Sequence, residues 1–280
     1  MNSDAINRFT TITDSFILVL DSRNSTTKKN GSYNSSVTFD FQDNIRDKSR
    51  LNKLRGSILN FSCPNSLYII NEYNNLLSIS TINAVTYNIL IPLGNYNSRN
   101  FISTLLTLLP TGFSITLNNI SNKFTISYTT DFTINSNSTV YDVMGFSSGI
   151  SYTSVAGTLI LPFTCNFNGL ASFNIAIENL NTGNYDSFNK SPGPIVQSIP
   201  IQNGAAQIIY YKTNNYSFQI DYSVDYLDIS LKDDLNRFIN LNNKDWNMTI
   251  CFECLVEFDK FQLQNGFFNV LENPYGYSYY

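Results

Sequence analysis

The chain has 280 residues and not one histidine. That absence removes the Ser-His-Asp and Cys-His nucleophile pairs, the H-E-x-x-H zinc helix and the commonest proton shuttle at neutral pH. Charge is also scarce. Asp, Glu, Lys and Arg supply 14% of the residues, against about 25% in an ordinary globular chain. The net charge of -4 offers no general attraction for nucleic acid or an anionic membrane. No apolar run approaches the ~20 residues of a membrane span, and no basic-then-apolar leader is seen at the start. The expectation is a protein without a membrane span, made in the cytosol. Neither G-x-x-x-x-G-K-[ST] nor G-x-G-x-x-G follows a strand-like segment, so phosphate-cradling loops are unsupported.

Cysteine is sparse too. Cys63, Cys165, Cys251 and Cys254 are too few to staple a chain of this length. Cys251 and Cys254 have the C-x-x-C spacing of zinc and thiol-redox sites, but they lie in a segment that alternates apolar and polar residues. An odd separation on a strand sends two sulfurs to opposite faces, and no second pair exists. Thiols without a metal or cofactor are expected.

What the chain does have is Asn, at about one residue in seven, and 14% aromatics. Asn tolerates left-handed backbone and makes side-chain turns, so short strands joined by many loops are expected. The single Trp heads the clearest strand. Trp246, Met248, Ile250, Phe252, Cys254, Val256 and Phe258 fall on one face, and Asn247, Thr249, Cys251, Glu253, Leu255 and Glu257 on the other. That period of two predicts a long strand with one buried face. Similar patterns predict strands near residues 15–21, 37–41, 55–63, 67–73 and 76–80, with Asn74-Asn75 as a hairpin turn. One helix is predicted at 98–109, capped by Ser98, with Phe101, Ile102, Leu105, Leu106 and Leu109 as its apolar stripe and Pro110 ending it. A hairpin from "FSITLN" to "KFTISY" follows, then a turn of helix at 140–144. From "GTLILPF" onward only strands are read, and Pro192 and Pro194 mark a loop.

Without histidine, the chemistry left to an enzyme is that of paired carboxylates. Asp228, Asp233, Asp234, Glu253 and Glu257 are the candidates. Glu253 and Glu257 share a strand face about 13 Å apart, beyond the ~5–9.5 Å of a glycosidase pair, and Asp233-Asp234 reads as a turn. No catalytic, cofactor-binding or metal-binding residue is assigned, and no enzyme activity is expected. Arg46, Lys48, Arg50, Lys53 and Arg55 form the one basic cluster, either a contact for an acidic neighbour or a strand edge guarded by cations. Phe261, Phe267, Phe268, Tyr275, Tyr277, Tyr279 and Tyr280 crowd the C-terminal stretch, for folding back, docking on another subunit or binding a sugar.

Several stretches, in order, are similar to a known family. "FILVLDSRNS", "YNILIPLGNYNSRNFISTLLTLLP", "FSITLNNISNKFTISYTT", "VMGF" at 143–146 and "LDISLKDDLNRFINLNNKDWNMTICFE" resemble the penton-type minor capsid proteins of virophages, polinton-like viruses and nucleocytoplasmic large DNA viruses. The most specific part is the last block, where a strand ending near Asp233-Asp234 leads through an Asn-rich turn to Asp245-Trp246 and the long strand. The resemblance implies an all-β jelly-roll sandwich, which the strand pattern places at 1–92 and 151–280; the helix plus hairpin read at 93–150 forms a small α/β insert that departs from a minimal eight-strand jelly roll. It further implies a non-enzymatic virion protein, synthesised in the host cytoplasm. That protein would form homopentamers at icosahedral vertices beside a double jelly-roll major capsid protein and other minor capsid proteins, with no specific nucleic acid as partner. The alternatives are a minor capsid protein between major capsomers and a receptor- or carbohydrate-binding fibre-like sandwich.

Overall fold

The computed structural model describes residues 8–29, 34–41, 53–180, 184–185, 192–212, 217–220 and 225–259. The first strands are β1 (Arg8–Asp21), β2 (Thr27–Lys28), β3 (Ser36–Asp40), β4 (Lys53–Pro64), β5 (Leu76–Thr81) and β6 (Thr86–Leu90), followed by helix α1 (Ser98–Leu108). Next come β7 (Ser114–Asn118), β8 (Lys123–Ser127), β9 (Phe132–Ile134), helix α2 (Tyr141–Met144), β10 (Tyr152–Thr153) and β11 (Thr158–Ile160). The remainder is β12 (Ser172–Ile177), β13 (Asn184–Tyr185), β14 (Pro192–Gly193), β15 (Ile195–Pro200), β16 (Ile208–Lys212), β17 (Phe218–Ile220), β18 (Tyr226–Lys232) and β19 (Asn247–Asp259).

Two antiparallel sheets form the body. One runs β1-β19-β4-β16, with β17 lying beyond β16 on the same side of β4, and the other runs β15-β12-β18-β3-β2. The pairing is nested: β1 with β19, β3 with β18, β4 with β16 and β17, and β12 with β15. A long antiparallel hairpin rolled up so that its two arms alternate between two sheets gives this order, and it is the jelly roll. The all-β jelly-roll expectation holds.

The sheets close on a core that includes Phe61, Phe173, Ile175, Leu227, Ile229, Trp246, Ile250 and Phe252, each at most 1% exposed. On β4 the inward residues are Leu54, Gly56 and Ile58, then Phe61 and Cys63. The change of parity has a visible cause. Ile250 faces Ile58 while Thr249 faces Asn60, so one extra residue bulges at Leu59 and turns the rest of the strand over by one position. Gly56 is required beneath Phe218, because a Cβ there would lie 2.5 Å from that ring.

A second module is inserted between β4 and β12. Its sheets are β10-β9-β5-β6 and β11-β8-β7, and α1 adds Phe101 and Leu105 to a core shared with Leu77, Ile79, Phe124, Ile126, Phe132 and Leu161. The expected limits at 92/93 and 150/151 do not coincide with this packing. β5, β6, β10 and β11 pair within the module, and its core extends from Ile70 to Leu161. The helix and hairpin of the expected insert are present, with five further strands, β5, β6, β9, β10 and β11, around them.

Two local expectations are corrected. Residues 67–73 are not a strand, and Asn74-Asn75 is not a hairpin turn; β5 pairs with β6 through the turn at 82–85. The Asn side chains explain it. Asn71 Oδ1 accepts from Tyr73 N at 2.9 Å and Asn74 Oδ1 from Asn71 N at 2.7 Å, holding a loop in place of a ladder. Helix α1 is capped by Asn97, not Ser98: Asn97 and Asn100 exchange side-chain and backbone bonds at 3.0 and 2.8 Å, an amide version of the capping box.

Helix α2 ends at Gly145, whose φ is +85° and whose Cβ, if present, would lie 2.4 Å from the carbonyl oxygen of Phe163. Both constraints require glycine. Gly145→Ala is expected to lower unfolding stability by about 1–3 kcal/mol, read as a lower denaturant midpoint for the second module.

Candidate functional site: surfaces around the β18–β19 turn

Trp246 sits where the turn enters β19. It is fully buried, its Nε1 donates to Asn34 O at 2.7 Å, and its amide donates to Ser22 Oγ at 3.0 Å. Ser22 N returns a bond to Trp246 O at 3.0 Å. The indole stacks on Phe61 of one sheet (5.9 Å, 29°) and meets Phe39 of the other edge-on (6.0 Å, 74°). Trp246 therefore joins both sheets and three chain segments. Through Cys254, where the described side chains end, the predicted alternation holds: Met248, Ile250, Phe252 and Cys254 are buried, and Thr249, Cys251 and Glu253 are not.

The turn itself is organised by Asp233. Its Oδ1 accepts from Leu235 N at 3.0 Å and Arg237 N at 2.8 Å, while Oδ2 takes Arg237 Nε at 2.7 Å. Both oxygens are engaged within the turn, so the carboxylate acts as a turn organiser. The other carboxylates do not converge with it. Asp228, on β18, is paired with Lys29 and accepts from Thr38 Oγ1 at 3.4 Å. Glu253 pairs with Arg55 at 2.5 Å. Asp234 is exposed beside Asp233, and the side chain of Glu257 lies outside the described residues. Among the described residues no three His, Cys, Asp or Glu side chains gather as a metal site.

Arg55 and Glu253 are direct cross-strand neighbours. The basic cluster's end is therefore on β4, an interior strand between β19 and β17, which corrects the strand-edge reading for Lys53 and Arg55. Arg46, Lys48 and Arg50 lie outside the described residues. The aromatic residues from Phe261 to Tyr280 do so as well.

No disulfide joins the cysteines. Burial pushes the Cys63 thiol up to about 12, which leaves it protonated and inert at neutral pH. Cys251 is raised by burial and then by the charge of Glu253. It lies on the outer face of β19 and Cys254 on the inner one, as the odd spacing predicts.

The β18–β19 turn also meets the second module. Arg237 lies 4.5 Å over the Tyr73 ring, and the Tyr73 hydroxyl donates to Phe238 O at 3.3 Å. Between them opens a cleft of about 450 Å³, walled by Tyr68, Tyr73, Tyr141, Arg237 and Phe238. Sequence reasoning missed this junction because residues 67–73 read as a strand and Asn74-Asn75 as its turn.

The surface of the second module is unusual in composition. Between positions 70 and 167 the charged residues are Glu72, Arg99, Lys123, Asp131 and Asp142 alone. Ile82, Leu90, Ile120, Val155 and Ile160 are each more than 60% exposed. Depletion of charge with exposed apolar side chains is the composition of a protein interface core.

The class is thus a single jelly roll whose β4–β12 connection carries a second, charge-poor module. No family model matches the chain, and no curated protein matches it. Among solved structures it is similar to the crystal structure of the selenomethionine-labelled mavirus penton protein, at 12% identity and a TM-score of 0.44, over 86% of this chain and 99% of that one.

Proposed function

We propose that this chain is a structural protein of a virus capsid, acting through its subunit interfaces and not through catalysis. The finer reading is the penton: a homopentamer at the icosahedral vertices of a DNA virus, beside a double jelly-roll major capsid protein and other minor capsid proteins. The observation that carries the reading is the block at 227–253. Its residues resemble the penton-type proteins, and its two strands occupy the interior of both sheets, with Trp246 between them. The charge-poor apolar surface of the second module supports a role in contact with other protein. A ring of identical subunits repeats one heterologous contact, which closes when the rotation between neighbours is one fifth of a turn.

The test is the native mass of the full chain, with electron-microscope images of the same sample. Rings of five are expected. A monomer or trimer, mixed with the major capsid protein of its own virus and still absent from the vertices of the assembled shells, would overturn the vertex reading.

A further inference from the structure

The cleft at the junction is walled from both modules. The chain enters the second module through residues 67–74 and leaves it through 166–171, and both stretches line the cleft together with the start of α2 and the β18–β19 turn. Its volume of about 450 Å³ lies within the ~300–1,000 Å³ of small-molecule sites. The charged residues lining it are Glu72, Asp142, Asp233, Asp234 and Arg237, four carboxylates against one guanidinium. Asp233 and Arg237 neutralise each other at 2.7 Å. Among the described residues, Glu72, Asp142 and Asp234 have no cationic partner.

The neutral donors of the wall are already spent. The side-chain amides of Asn74, Asn166 and Asn242 donate to Ile69 O, Asp142 Oδ2 and Ser66 O at 2.8, 3.1 and 2.5 Å. The deficit is sharpest at Glu72, whose Oε1 is buried with no hydrogen-bond partner, a costly state for a carboxylate until a cation comes near. Glu72 stands beside the Tyr73 ring, since the Tyr73 hydroxyl is raised above its ordinary pKa first by burial and then by the Glu72 charge. That ring already carries a cation, Arg237, 4.5 Å over its face. Among the described residues no cation lies over Tyr68 or Tyr141 in the same wall. Nor do three of the carboxylates gather as a metal site. Negative charges spread along an aromatic wall suit an elongated organic cation better than a metal ion, which needs its oxygens converging on one point.

We propose that this cleft binds a free alkyl polyamine, its ammonium groups meeting Glu72, Asp142 and Asp234 and its methylene stem lying against the Tyr68 and Tyr141 rings. The ligand supplies what the wall lacks. Its ammonium groups are donors with no acceptor capacity, and the unspent groups of the cleft are carboxylates. Its stem is apolar, and the tyrosine faces that cover it also attract the charge at either end. Because both connections between the modules wall the cleft, a bound amine would tie the second module to the jelly roll. This inference is independent of the capsid reading.

Calorimetric titration of the full chain with spermidine is the test. A saturable site, one ligand per chain, with a Kd below about 1 mM is expected. No saturable heat with spermidine, whether or not an oligolysine peptide binds, would overturn the proposal. Glu72→Gln and Asp142→Asn keep the shape of each side chain and should each weaken binding about ten-fold. Asp225→Asn removes the same charge from an exposed residue before β18, eight residues and so about 26 Å of strand from Asp233, and should leave the Kd unchanged. Equal weakening in all three variants would mean diffuse attraction and no site. Two further arms use the wild-type chain alone. Pentanediol, with an apolar stem and no charge, should give no saturable heat, and magnesium chloride should displace spermidine no better than sodium chloride at equal ionic strength. Saturable binding of the diol, or selective displacement by magnesium, would overturn the assignment.

Discussion

Trp246→Ala should cost about 3–5 kcal/mol of unfolding free energy, the largest single effect expected in the jelly roll. The indole contributes three separate things. It fills the space between Phe61 and Phe39, so its removal leaves a cavity touching both sheets. Its Nε1 bond to Asn34 O is lost, stranding a carbonyl in a buried place, where an unmet acceptor costs about 1–3 kcal/mol. The backbone bonds between Trp246 and Ser22 then lose the anchor that holds them in register. Trp246→Phe keeps much of the volume but not the donor, and should fall between wild type and Ala. Equilibrium urea unfolding measures the series. In the wild-type protein the single Trp should emit at short wavelength and resist acrylamide, and a water-like spectrum would contradict its burial.

Asp233→Ala should be the second largest, at about 2–3 kcal/mol, with the usual cost of breaking a buried pair discounted for a half-exposed arginine. The carboxylate is 7% exposed and Arg237 is 37% exposed. Removing it frees the amides of Leu235 and Arg237 and releases the guanidinium that rests on Tyr73. Asp233→Asn keeps an acceptor for the amides and should cost less. Because Arg237 and Phe238 touch the loop leading into the second module, the Ala variant should also speed proteolysis between residues 65 and 75. Urea unfolding and timed trypsin digestion read the two consequences separately.

Period-two alternation on β19 was legible because one face is buried against the opposite sheet and the other is not, and this burial is what writes the pattern into sequence. On β4 the same logic is interrupted by the bulge at Leu59, so its inward set cannot be read with one parity. Residues 67–73 look like a strand because Leu67, Ile69 and Tyr73 are apolar, yet Asn71 and Asn74 supply local bonds that compete with a ladder. Nothing local distinguishes β5 and β6 from sandwich strands. Their assignment to the second module depends on pairing with β9, some fifty residues away, which is tertiary information.

The nesting of strand pairs has a consequence for the order in which the molecule is made. β19 occupies a slot between β1 and β4, yet it leaves the ribosome after both of them. Until then those two strands have an open gap between them, and each presents an unpaired edge. The second module has no such debt, since β5 through β11 find all their sheet partners among themselves. During synthesis it can close first, and the jelly roll last, when the Trp-headed strand slides into its vacancy. Chains whose contacts are this distant in sequence fold slowly, and the long interval with an open sheet is where this protein is most exposed to pairing with the wrong copy.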